Sequence, residues 1–410
     1  MDDLRAALTP FDAEATLAAA PDPFDYLPMP EVRAGPPWAM AEMIAAEPGL
    51  VRRIADRVTA DGSAAALAGA LRDTAGARQP VFVTGCGTSE HAAMGAAMIL
   101  RDAWRRAGLP AWGPVAAQAF ELAQEPPGSG LVIGVSHEGG TAATIAALDA
   151  ARASGARTAL LTASAASPAA AAADVVLATV EMDRSWCHTV GYVSPMAAAA
   201  AVAAALARRP PDTDGLASRV RAGIEAAWRG GETRPATTIG RAIAGAWHLL
   251  VVASGVDRVS ARELVLKVEE ASYVPSAMRD LETFLHGHLP ATGGSTALVL
   301  ILTDPASFEA RTLRARQALA AAAATGIRAG AIFSASAADR IPAALTPAGR
   351  IVVPDGPTSG AGEACLFGAA GPIQLVTLEV AAGRGTNPDP IRRDDPVYYR
   401  AAEVADDPST

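Results

Sequence analysis

Glu263 and Lys267 stand four residues apart, and Lys267 and Glu270 three apart, so a helix through them sets all three on one face. Sixteen residues beyond Glu270 come His286, Gly287 and His288, followed by Pro290, in what reads as a loop. A carboxylate, an amine and an imidazole are the groups needed to open a sugar ring and carry a proton between neighbouring carbons. The same spacing also suits a surface ion-pair ladder with an unrelated loop histidine. Lys267 is the chain's single lysine among 34 basic residues. In a sequence that uses arginine wherever either will do, such a lysine suggests a place for a compact charge or for an amine that can lose its proton, although chance would also put one somewhere.

Two further stretches are rich in glycine and hydroxyls: Gly85-Cys86-Gly87-Thr88-Ser89 and Ser136-His137-Glu138-Gly139-Gly140-Thr141. Backbone N–H groups at a helix start, together with Ser and Thr hydroxyls, can cradle an anion or a polyol. Each loop alone could simply cap its helix. Their occurrence on consecutive strand–helix units favours a shared ligand, because ligands of open parallel sheets bind at the carboxyl ends of the strands.

The elements that must hold these groups follow from the hydropathy pattern. Short β-branched runs at Val81–Thr84, Leu131–Val135, Thr158–Thr162 and Val175–Ala178 alternate with Ala-rich helical segments reaching about Arg105 and Ala153. The theme restarts with Leu249–Ala253, Ala297–Leu302, Ala329–Phe333 and Arg350–Val353, with helices through Glu270 and to Ala324. Strand–helix alternation of this kind implies crossover connections and parallel sheets buried on both faces, here in duplicate. Trp38 to Val58 reads as a helix broken near Pro48, and the Ala-rich run Ala197–Ala207 as a buried helix. The expected organisation is an arm and helix over 1–60, a first domain over 61–212 with a linker near Arg208–Gly215, a second over 213–384, and a tail over 385–410.

The chain has 410 residues, half of them hydrophobic, with a formal charge of −9 and no basic cluster, which disfavours nucleic acid and anionic membranes as partners. Cys86, Cys187 and Cys365 are widely spaced and odd in number. They suggest a reducing compartment and no disulfide framework or structural zinc. The acidic start Met1-Asp2-Asp3 is unlike a signal peptide, so a cytoplasmic location is expected.

These pieces resemble the tandem SIS (sugar isomerase) domain family, including the isomerase half of glucosamine-6-phosphate synthase. The likeness runs over roughly residues 38–390 and rests on Gly85–Ser89, Ser136-x-x-Gly139-x-Thr141, Leu264-x-Leu266-Lys267-x-x-Glu270-x-Ser272-Tyr273 and His286-Gly287. It implies an α/β fold of two flavodoxin-like domains, each a five-stranded parallel sheet flanked by helices. It implies that Glu270 moves a proton between C1 and C2, that Lys267 lies in the active site, and that His286 assists ring opening from the neighbouring subunit of a homodimer. Cys86, Gly87, Thr88, Ser89, Ser136, His137, Glu138, Gly139, Thr141, His188 and Thr189 would hold a small sugar or sugar phosphate. No cofactor, metal, nucleic acid or membrane is expected. The implied activity is an aldose–ketose isomerisation through an enediol. The alternatives are an amino-sugar-6-phosphate deaminase or deglycase, and a non-catalytic sugar-binding regulator.

The sequence departs from that pattern at several points. No glutaminase domain is evident and no cysteine precedes Cys86. No lysine follows Lys267 to form the synthase's Schiff base; Arg392 and Arg393 lie near that place, and a guanidinium cannot form an imine. Glu138 occupies a position usually held by serine in the phosphate loop, where at about 4 Å it would oppose an anion by roughly 1–4 kcal/mol. His188-Thr189 replaces a second phosphate-binding Ser-Thr. Glu138 and His188 could therefore face each other as an ion pair, or an uncharged hydroxymethyl could take the phosphate's place. A metal held by His137, Glu138, Cys187 and His188 is a further, weaker option.

Overall fold

A computed structural model of the chain describes residues 33–406 except 111, 231–232 and 358–359. The arm expected at the N-terminus lies, up to residue 32, outside the described residues. The first half runs α1 (Ala39–Ala60), α2 (Ser63–Gly76), β1 (Val81–Gly85), α3 (Thr88–Arg106), β2 (Val115–Gln118), α4 (Ala119–Gln124), β3 (Leu131–Val135), α5 (Ala142–Ala153), β4 (Arg157–Thr162), α6 (Pro168–Ala171), β5 (Val175–Ala178) and α7 (Val190–Leu206). The second continues with α8 (Thr213–Trp228), α9 (Pro235–Ala244), β6 (His248–Ala253), α10 (Asp257–Ser272), β7 (Ser276–Asp280), β8 (Thr296–Leu302), α11 (Phe308–Ala324), β9 (Arg328–Ser334), α12 (Ala335–Arg340), β10 (Arg350–Val353), α13 (Ala361–Arg384) and α14 (Pro396–Asp406).

Each half forms a five-stranded, wholly parallel sheet. The first has the order β2-β1-β3-β4-β5, and the second, read from its β7 edge, β7-β6-β8-β9-β10, which is the same topology. The central strands are mostly apolar because helices cover both faces; every residue of β3 and of β8 is buried. The sheets share a helical layer. One continuous apolar core joins Met40 and Leu50 of α1, Tyr192 and Val202 of α7, Val251 of β6, and Phe367 and Val376 of α13.

The Ala-rich run lies within α7, buried along nearly its whole length, as the sequence suggests. Helix α13 contains a stretch, Gly362–Arg384, long and apolar enough to cross a membrane, yet its most apolar 18-residue window is wholly buried inside the protein. Pro48 does not break α1, which continues through it. Met40 to Val51 are all buried or nearly so, and this packing outweighs the roughly 3 kcal/mol that an interior proline costs a helix. The segment read as a tail is partly core: Asp389 is 1% exposed, and its carboxylate accepts from the N–H groups of Ala39 (2.8 Å) and Met40 (3.0 Å), capping α1 from 350 residues away.

Candidate active site

Helix α10 buries its charged face. Glu263 is 1% and Lys267 0% exposed, so the surface-ladder reading of this spacing fails. The Lys267 ammonium donates to Glu270 Oε2 and lies 3.8 Å from Glu263 Oε1. The other Glu263 oxygen meets His91 Nδ1 at 2.7 Å. His91 sits in α3 just after the Gly85–Ser89 loop, so this contact ties the first half's glycine loop to the second half's charged helix. Burial alone would lower the Lys267 pKa, but the carboxylates of Glu270 and Glu263 more than reverse this and raise it, so the amine stays protonated. Burial likewise raises the Glu270 carboxyl against the pull of Lys267. It raises the Cys187 thiol well above its ordinary value beside both.

Glu270 faces a cleft of about 260 Å³ between the halves. The loop after β1 brings Cys86, Gly87, Thr88 and Ser89 to it, and the loop after β3 brings His137, Glu138 and Thr141. Trp186 and His188 come from the segment after β5, and Ile391 and Arg393 from beyond α13. Two helix N-termini open here without a capping side chain, α3 behind Gly87 and α5 behind Thr141. Ser136 is buried beneath the second loop, its hydroxyl 3.4 Å from that of Thr141. Gly139 has φ +74°, and a Cβ there would strike Ser167 Oγ at 2.1 Å, so only glycine fits.

The start of α7 is different. Asp183 Oδ1 accepts from the N–H groups of Thr189 and Val190, each at 3.0 Å, and Oδ2 from that of Gly191 at 2.6 Å. The protein's own carboxylate thus takes the amides that a ligand anion would need. Thr189 is buried behind it, its hydroxyl without a hydrogen-bond partner among the described residues. His137 Nε2 accepts from the Asp183 N–H at 3.0 Å and packs its ring 5.3 Å from that of His188. Burial pushes the His188 pKa down to about 3, so the ring is neutral. The Glu138–His188 ion pair raised above is therefore not formed, because a desolvated neutral imidazole offers no charge. Among the described residues no group of three or more His, Cys, Asp or Glu is arranged to hold a metal ion, which removes the support for the His137–Glu138–Cys187–His188 set.

His286 is not in this cleft. Its side chain is 69% exposed, with Nε2 2.7 Å from Glu282 and 3.2 Å from Arg314. Conversely, Trp186, Ile391, Arg393, His91 and Asp183 carry no motif that marks them in the sequence; only Arg393 had a hint, in its place near the family's missing lysine. The segment holding it is anchored by stacking. Arg393 lies over Trp186 at 4.5 Å, and Arg392 over Tyr273 and Tyr398 at 4.8 and 3.7 Å. Ile391 and Arg392 both have left-handed φ, 44° and 65°, a strain that fixed contacts on either side hold in place.

Comparison with known proteins accords with this geometry. Residues 76–208 match the model of the SIS domain. No curated protein matches the chain by sequence. Among solved structures, the C-terminal domain of glucosamine-fructose-6-phosphate aminotransferase from Francisella tularensis superposes with a TM-score of 0.71 at 17% identity, over 87% of this chain and 99% of that one. Tagatose-6-phosphate ketose/aldose isomerase from Escherichia coli gives 0.67 at 19%, over 88% and 96%. Glucosamine-6-phosphate deaminase from Thermotoga maritima gives 0.56 at 18%, over 76% and 87%. Residues 76–208 thus match the SIS domain, and a second sheet of the same topology follows the matched stretch.

Proposed function

We propose that the protein is an aldose–ketose isomerase acting on a sugar phosphate or close derivative. The observation that carries this reading is the placement of Glu270, a carboxyl raised by burial, at the floor of a cleft rimmed by hydroxyls and two uncapped helix N-termini. Glu270 removes the proton from C2 of the open-chain aldose as O1 takes up a proton from water, giving the enediol; the same carboxyl then returns its proton to C1 as O2 gives up its proton to water, leaving the ketose with no net change in protons. A base with a pKa nearer neutrality both accepts and returns a proton efficiently. The Lys267 cation behind it stabilises the negative charge that develops on the enediol oxygens. The distal phosphate sits at the start of α5, where Arg393 in the same cleft offsets Glu138. His286, remote from this cleft, completes that of a second copy and opens the ring there. The Francisella and Escherichia neighbours are both named for 6-phosphosugar chemistry, which supports this substrate class.

The test is proton exchange in heavy water, followed at C1 and C2 by NMR over hexose 6-phosphates and amino-sugar 6-phosphates. Glu270→Gln is expected to lower turnover by about 10²–10⁴-fold while leaving ligand binding nearly intact. Undiminished exchange in that variant overturns the assignment. Ammonia release from an amino-sugar 6-phosphate would instead favour deamination, the activity for which the Thermotoga neighbour is named.

A further inference from the structure

The two halves have one topology, and the contributions to the Glu270 cleft can be traced through it. That cleft uses the loop after β5, the segment after α13, and the helix after β6. Exchanging the halves gives the loop after β10, the segment after α7, and the helix after β1. At that place lies a second cleft, of about 220 Å³. Pro357 and Gly360 line it from the β10–α13 connection, Glu363 from the first turn of α13, Arg209 and Asp212 from the turn after α7, Arg106 from the end of α3, and Arg219 from α8.

Three guanidiniums from three elements thus converge in a protein of net charge −9. They lie close to bare backbone: a Cβ on Gly356 would be 4.0 Å from Arg219 Nη1, and one on Gly360 4.0 Å from Arg106 Nη1. Gly360 has φ +78° and starts the 24-residue α13 without a side-chain cap. The acidic neighbours are largely committed. Asp102 pairs with Arg106 at 3.1 Å, and Asp212 accepts from the Gly215 N–H at 3.0 Å. Burial raises the Glu363 carboxyl against the pull of the Arg209, Arg106 and Arg219 guanidiniums around it. Neither Arg209 nor Arg219 forms an ion pair among the described residues.

We propose that this second cleft is a binding site for a phosphate group, either the free ion or one carried on a small molecule. Arginine forks match phosphate oxygens in geometry as well as charge, and the helix start adds N–H donors. The site is distinct from the Glu270 cleft and does not depend on the chemistry there.

Calorimetric titration tests it, with inorganic phosphate and a hexose 6-phosphate as probes, on the full chain and on Arg209→Gln, Arg219→Gln, the double variant and Arg393→Ala. Circular dichroism checks the fold of each; Arg209 is exposed, so its variant keeps the test available if Arg219→Gln is unstable. For at least one probe, a site is expected that is weakened tenfold or more in the double variant and retained in Arg393→Ala. The free ion and the carried phosphate are distinguished by which probe shows that loss. Unchanged affinity and stoichiometry for both probes in the folded double variant, or loss of all binding in Arg393→Ala alone, overturns the proposal.

Discussion

At the scale of single residues, the charged face of α10 is costly as well as useful. The Lys267 ammonium is shared by the carboxylates of Glu263 and Glu270. Lys267→Met leaves both without their counterion, and removing one partner of such a cluster typically costs about 3–5 kcal/mol, to be read as a fall in chemical-denaturation stability. Asp257 is another buried acid. It accepts from the N–H groups of Thr303 (2.7 Å) and Asp304 (3.0 Å), yet burial raises its pKa from 3.8 to about 6. The native state therefore holds this proton more tightly than the unfolded chain. The group's contribution is fully present below about pH 4 and is lost as pH rises toward 6, amounting to roughly 3 kcal/mol. Asp257→Asn should flatten that slope relative to the parent in denaturation curves measured from pH 4 to 7; parallel slopes would refute the attribution. The Glu263–Lys267–Glu270 spacing was open to reading because helical periodicity puts those residues on one face. Their burial was not, since it depends on what packs against the helix. The roles of His91 and Asp183 were hidden for the same reason: each is defined by a contact with an element distant in sequence or by a helix start whose need for a cap the sequence does not state.

At the scale of elements, the central strands were evident as β-branched runs. The edge strands β2 and β7 were not, because Val115–Gln118 and Ser276–Asp280 are half-exposed and carry too little apolar pattern. Their existence was available only through family resemblance. The start of α1 is an instructive case, since its cap comes from Asp389 rather than from Trp38 beside it. Asp389→Ala should cost about 1–3 kcal/mol by leaving two buried N–H groups unpaired, and should also weaken ligand binding, because losing that side-chain anchor loosens the backbone whose carbonyl accepts from the Trp186 N–H at 2.9 Å next to the cleft. Thermal denaturation and titration of the same variant check both expectations.

At the scale of the whole molecule, duplication has not produced two independent halves. The core running from α1 through α7 to β6 and α13 belongs to both sheets. Unfolding is therefore expected as one cooperative calorimetric transition, with agreement between calorimetric and van't Hoff enthalpies; two resolved transitions would contradict a shared core. The sharing also explains why the Glu270 cleft draws its groups from distant parts of the sequence, from Cys86 to Arg393.

The solitary lysine gives the molecule a property unrelated to turnover. Because Lys267 is both the only ε-amine and 0% exposed, an acylating reagent offered to the folded chain meets no accessible lysine. Modification at that position would proceed only as fast as the inter-domain helix face opens, so the chain carries its own single-site chemical clock for that motion.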